Sequence, residues 1–91
     1  MLLPMNPGEV QALADIRGYA SAGRWRLTDH ARRRAVERGV RTQDVRHALT
    51  TAATCRDQGD GTWKVSSRDL DGDDLVAVVV LEEGVLVVTL F

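Results

Sequence analysis

Three polar residues in the run Trp25–Val40, W-R-L-T-D-H-A-R-R-R-A-V-E-R-G-V, have types and spacing suited to chemistry on a phosphate: His30, Arg34 and Arg38. Residues four apart on a helix share a face, so the three project in one direction. In the first helical turn the dipole disfavours an imidazolium, and a neutral imidazole is a base near physiological pH. Arginines one and two turns further on can hold a phosphate in their planar forks. A neutral base beside fixed cations is what attack of a ribose 2′-hydroxyl on its neighbouring phosphate requires. On this reading His30, Arg34 and Arg38 are the catalytic set of a metal-independent endoribonuclease. Arg33, Lys64 and Arg68 are the further cations for RNA phosphate, Arg68 reaching in from the sheet. The same residues also fit a structural network. In that network Arg34 or Arg38 pairs with Glu37 or Asp44, and His30 bonds a backbone carbonyl. Both readings stand at this point.

The element that carries these residues is bounded by local chemistry. Thr28 is an N-cap residue, whose hydroxyl can accept from the unpaired N–H groups of a first turn, and Gly39 supplies a left-handed stop. Ala31 and Ala35 lie beside His30, Arg34 and Arg38 and allow close packing, while Asp29, Arg32 and Val36 fall on the opposite side. Before this helix, Asn6-Pro7-Gly8-Glu9 combines an N-cap, a proline at the first helical position and a capping-box glutamate. A helix over Pro7–Ala22 follows, with Met1–Met5 as a loose tail. A third helix starts at Thr42 and buries Val45, Ala48, Leu49 and Ala52, which leaves His47 facing solvent.

Helical periodicity stops near Ala53. Thr54-Cys55-Arg56 reads as a short strand and Asp57–Gly61 as a turn. Trp63–Arg68 alternates as a half-buried strand, Asp71-Gly72-Asp73 turns the chain, and Leu75–Leu81 is the central strand. Glu82-Glu83-Gly84 then turns it into Val85–Phe91. The expected fold is α+β: one domain over residues 1–91, three helices and then a three- or four-stranded antiparallel sheet. Val76–Leu81 and Val85–Val88 do not alternate, a pattern usual where a sheet is covered on both sides. The last strand also ends without a charged residue, which leaves its edge open to pairing. A homodimer, or a complex with a protein partner, through the C-terminal strand or sheet face is therefore expected.

Composition narrows the function. The 91 residues are 44% hydrophobic with few aromatics, so the core is aliphatic. The net charge of −1 conceals ten arginines against five acids in residues 1–56, and two cations against eight acids in residues 57–91. A basic half attracts phosphate, but the chain as a whole is too acidic to bind nucleic acid by charge alone. One cysteine, Cys55, excludes an internal disulfide and a cysteine zinc cluster, and suits a reducing compartment. With no secretory signal and no apolar run long enough to span a bilayer, a cytoplasmic protein without membrane contact is expected. Asp69–Asp74 does not have the glycine and glutamate positions of a calcium loop. His30 and His47 sit on different helices without a third ligand. No cofactor motif is present, so neither metal nor cofactor is expected.

The stretch L-T-D-H-A-R-R-R-A-V-E-R-G-V-R-T-Q-D-V-R-H-A-L resembles a bacterial domain family of unknown function. Its pattern is H-A-x-x-R-[M]-x-x-R-x-[I/V], followed by D-V, a glycine-containing turn and a final V-V-T-[aromatic]. His30, Ala31, Arg34, Arg38, Val40, Asp44, Val45, Gly72 and Thr89 fit it, while Ala35 stands for methionine and Phe91 for tyrosine. The resemblance covers about residues 25–91. The layout of helices followed by a meander is also similar to the RelE/ParE toxin superfamily, small bacterial proteins that include messenger-cleaving ribonucleases held inactive by antitoxins. It implies a toxin-like RNA-binding or RNA-cleaving domain of a toxin–antitoxin type system, with RNA and an antitoxin-like protein as partners. The alternative is a non-catalytic interaction module that dimerises or binds a partner through its apolar sheet.

Overall fold

The computed structural model describes residues 3–91. Chain order is α1 (Pro7–Ser21), β1 (Trp25–Leu27), α2 (Asp29–Arg38), α3 (Thr42–Thr50), β2 (Thr54–Asp57), β3 (Trp63–Arg68), β4 (Asp74–Leu81) and β5 (Val85–Leu90). The fold is α+β, as the periodicity predicts. The caps act where the sequence places them. The Asn6 side chain accepts from Glu9 N–H at 2.8 Å, and Glu9 Oε1 accepts from Asn6 N–H at 2.9 Å. Thr28 Oγ1 accepts from Ala31 N–H at 3.1 Å, and Gly39 stops α2 in the left-handed region at φ 67°.

The sheet departs from expectation in strand number and direction. It has five strands in the order β1-β5-β4-β3-β2, and β1 runs parallel to β5, with Trp25 opposite Val85 and Leu27 opposite Val87. The meander β2–β5 is antiparallel throughout. Trp25–Leu27 is too short to show a period, and its partner lies some sixty positions away in sequence, so nothing local announces it. Its presence places Val85–Val87 of β5 inside the sheet, so the C-terminal strand is not an open edge over that stretch.

The chain's own helices pack on only one of the two sheet faces. Cys55, Val65, Leu75, Ala77, Val79, Val85, Val87 and Leu90 share the core with Leu13, Ile16, Ala31, Val45 and Leu49 of the helices. The alternate residues Val76, Val78, Val80 and Leu86 stay half-buried, and Lys64 and Arg68 are exposed. Helices cover one face of the sheet and leave the other open. The unbroken valines mark a sheet whose second face is apolar and not covered by the chain's own helices.

The far edge, β2, is blunted by the chain's own start. Asp57 N–H donates to Glu9 Oε2 at 2.9 Å and Cys55 N–H to Met5 Sδ at 3.4 Å. Arg56 donates to the carbonyls of Pro4, at 3.3 Å, and Leu3. Leu3–Met5, expected within a loose tail, therefore lies against β2; Met1 and Leu2 fall outside the described residues. His47, expected in solvent, is half-buried, and its carbonyl accepts from the hydroxyls of Thr50 and Thr51. No helix of the described residues is long and apolar enough to cross a membrane.

Candidate functional site

The candidate site forms where β1 ends and the start of α2 takes over the edge of β5. Thr28 N–H donates to the Val87 carbonyl at 3.0 Å, as a strand residue would. Its hydroxyl donates to the Val88 carbonyl at 2.9 Å while accepting from Ala31. His30 Nε2 lies 3.0 Å from Thr89 Oγ1, and Arg34 Nε donates to the Leu90 carbonyl at 3.1 Å. Side chains at 28, 30 and 34 thus engage three successive residues of β5. Polar groups that a sheet edge would leave unpaired are satisfied by a helix.

A β-bulge sets up the contact with His30. Val79 pairs with Val87, but Val78 pairs with Thr89, so Val88 is an extra residue in β5. The insertion moves Thr89 into register with the open-face residue Val78. One row then crosses the sheet: Arg56 opposite Lys64, Lys64 opposite Val78, Val78 opposite Thr89, and Thr89 bonded to His30. Lys64 and Thr89 stand two strand spacings apart, about 10 Å. Within the row Lys64 is exposed, with no carboxylate in ion-pair range among the described residues, whereas Arg56 lies 3.6 Å from Glu9.

The residues singled out in sequence are therefore only partly united. His30 and Arg34 meet the same strand and Lys64 joins the row of His30 across the open face. Besides the Leu90 carbonyl, the Arg34 guanidinium pairs with Glu37 at 3.1 Å. Arg38 is exposed and has no carboxylate partner among the described residues. Arg33 is exposed on α2. Arg68 sits at the end of β3 opposite Asp74, 4.0 Å from its carboxylate. Thr89 is a partner of His30 that spacing could not reveal, since the two lie 59 positions apart. The signal available was the V-V-T near the chain's end.

Asp44 and Cys55 lie away from this row and are buried. Asp44 is buried beneath Arg41, accepting from its backbone N–H at 3.0 Å and from its guanidinium Nε at 2.9 Å and Nη2 at 3.2 Å. It also accepts from Leu70 N–H at 3.1 Å, which ties α3 to the β3–β4 turn. The Arg41 guanidinium holds the Asp44 carboxyl well below the usual carboxylate range. Asp69 and Asp71 bring ligand oxygens within 4.8 Å of those of Asp44, but the oxygens of Asp44 are already occupied by N–H donors. Burial pushes the Cys55 thiol up to about 11, which keeps it protonated and a poor nucleophile at neutral pH.

Residues 27–91 match a family described as a domain of unknown function, DUF4258. The chain belongs to the DUF4258 family. No curated protein and no solved structure matches it. The DUF4258 segment runs from the last residue of β1 through β5, so it contains Thr28, His30, Arg34, Lys64 and Thr89. Outside it lies α1, which contributes Leu13 and Ile16 to the core and Glu9 to the edge of β2.

Proposed function

We propose that this DUF4258 domain binds single-stranded RNA on the open face of its sheet, as a toxin-like component of a toxin–antitoxin type system. The observation that carries this reading is the row Lys64–Val78–Thr89–His30 across a face that no helix covers. Lys64 supplies a charge for phosphate, and the half-buried valines supply an apolar bed for bases. His30 stands at the rim, exposed and held by a hydroxyl, where it can take the proton of a ribose 2′-hydroxyl. The order of helices followed by a sheet adds fold-level analogy with RelE/ParE toxins. The last strand, V-L-V-V-T-L-F, carries no cation or tyrosine, so any cleavage falls to His30.

The test combines binding with growth. Affinity for a single-stranded oligoribonucleotide should fall with salt at a log–log slope of at least about −0.7, the value for the one phosphate that Lys64 neutralises on a single strand. Expression of the wild-type domain alone should slow growth, and His30→Ala should relieve it while leaving RNA binding near the wild-type level. Absence of binding at low salt would contradict the reading. So would a concentration-dependent dimer that occupies this face, which would assign it to protein association.

A further inference from the structure

The opposite side of α2 carries a second surface with different chemistry. A groove of about 320 Å³ opens between α2 and α3, lined by Leu27, Val36, Val40 and Val45 with Arg32 and Thr42 at its rim. Val36 is 82% exposed, the highest value among the large hydrophobic residues described. A lone surface valine needs no explanation, but one at the lip of an apolar groove offers ready-made contact area.

The charges around it are unbalanced. Of the arginines on α2, α3 and their connection, Arg34 is paired with Glu37 and Arg41 with Asp44. Arg32, Arg33, Arg38 and Arg46 have no carboxylate within ion-pair distance among the described residues. Arg46 lies one helical turn beyond Thr42, and therefore flanks the groove on the α3 side as Arg32 does on the α2 side. Asp29 is the only carboxylate of these two helices left without a cation.

We propose that this groove docks an acidic amphipathic helix of a partner protein. Apolar side chains at i and i+4 would fill the space between Val36 and Val45 over Leu27, and carboxylates on its flanks would meet Arg32 and Arg46. The apolar lining argues against a nucleic-acid strand here, because a phosphate backbone has nothing to bury against valines. A second copy of the chain does not fit either. Its α1 spends Leu13 and Ile16 on its own core and Glu9 on β2, and α2 and α3 would bring like charges together. This surface is separate from the RNA row, so the two proposals stand or fall independently.

Panning the full 91-residue protein against a displayed library of random peptides tests it, with peptides of about 18 residues so that helices can form. Enriched sequences should place apolar residues at i and i+4 with Asp or Glu on the flanks. The leading peptide, synthesised and labelled, should bind Val36→Asp at least about tenfold more weakly than wild type, because the substitution puts a charge in the apolar contact. Arg46→Glu should weaken it several-fold at low salt, with a smaller effect at high salt. Both positions are exposed, so the variants should keep the wild-type thermal transition. RNA affinity should be unchanged in Val36→Asp, which separates failure here from failure of the RNA reading. No enrichment, enrichment of basic peptides, or equal binding by Val36→Asp would overturn the proposal.

Discussion

Asp44 shows how one side chain can serve three elements. Its carboxylate caps the N-terminus of α3 through Arg41 N–H, neutralises the Arg41 guanidinium, and pins the β3–β4 turn through Leu70 N–H. These donors favour the charged form, so the folded-state pKa lies below the unfolded value of about 3.9. The stability it contributes is fully present above the unfolded value and is lost as the pH falls below about 4. Asp44→Asn should therefore lower the thermal midpoint at pH 7 and flatten its decline between pH 4 and pH 2. Melting followed by circular dichroism across this range reads both effects, and an unchanged acid limb would rule Asp44 out as its source. Glu9, lowered by backbone N–H groups of Asn6 and Asp57, should supply the remainder of that limb. The Asp44–Asp69–Asp71 cluster gains no stability from added divalent cation on this account, because arginine already occupies its buried member.

At the scale of elements, β5 is the member on which the others converge. It takes β1 in parallel on one side and β4 on the other, and its last residues receive α2. The approach of β1 depends on Gly84. A Cβ there would lie 2.9 Å from the Arg24 carbonyl oxygen, the same oxygen that accepts from Val85 N–H at 2.9 Å. The obstacle is backbone and cannot rotate away, so Gly84→Ala should part β1 from β5 and cost about 1–3 kcal/mol. Urea unfolding measures that loss, and a midpoint equal to wild type would show that β1 can shift without cost. The helices were legible in the sequence because their signals are local: Asn6 with Glu9, Thr28 with Ala31, and Gly39. The β1–β5 pair, the bulge at Val88 and the His30–Thr89 contact were not. The first and last join residues some sixty positions apart, and the bulge is an irregularity of β4–β5 register that no residue type announces.

The whole molecule is a helical layer on one face of a five-stranded sheet, with its charges sorted by surface. The apolar periodicity specified the layers, but it could not distinguish a sheet covered twice from one left open, since Val76, Val78 and Val80 read the same either way. His30 and Lys64 were legible as candidates from residue type, and Thr89 as their link was not, because the contact exists only in the closed sheet. The proposed RNA strand lies across the row from Lys64 to His30. The most direct test of this placement is to map the amide shifts of the labelled protein while titrating a single-stranded oligoribonucleotide at low salt. The largest changes are predicted at Lys64, Val78, Thr89 and His30, and Lys64→Glu should abolish them. Changes absent from this row, or centred on Val36 and Arg46 in the groove between α2 and α3, would contradict it.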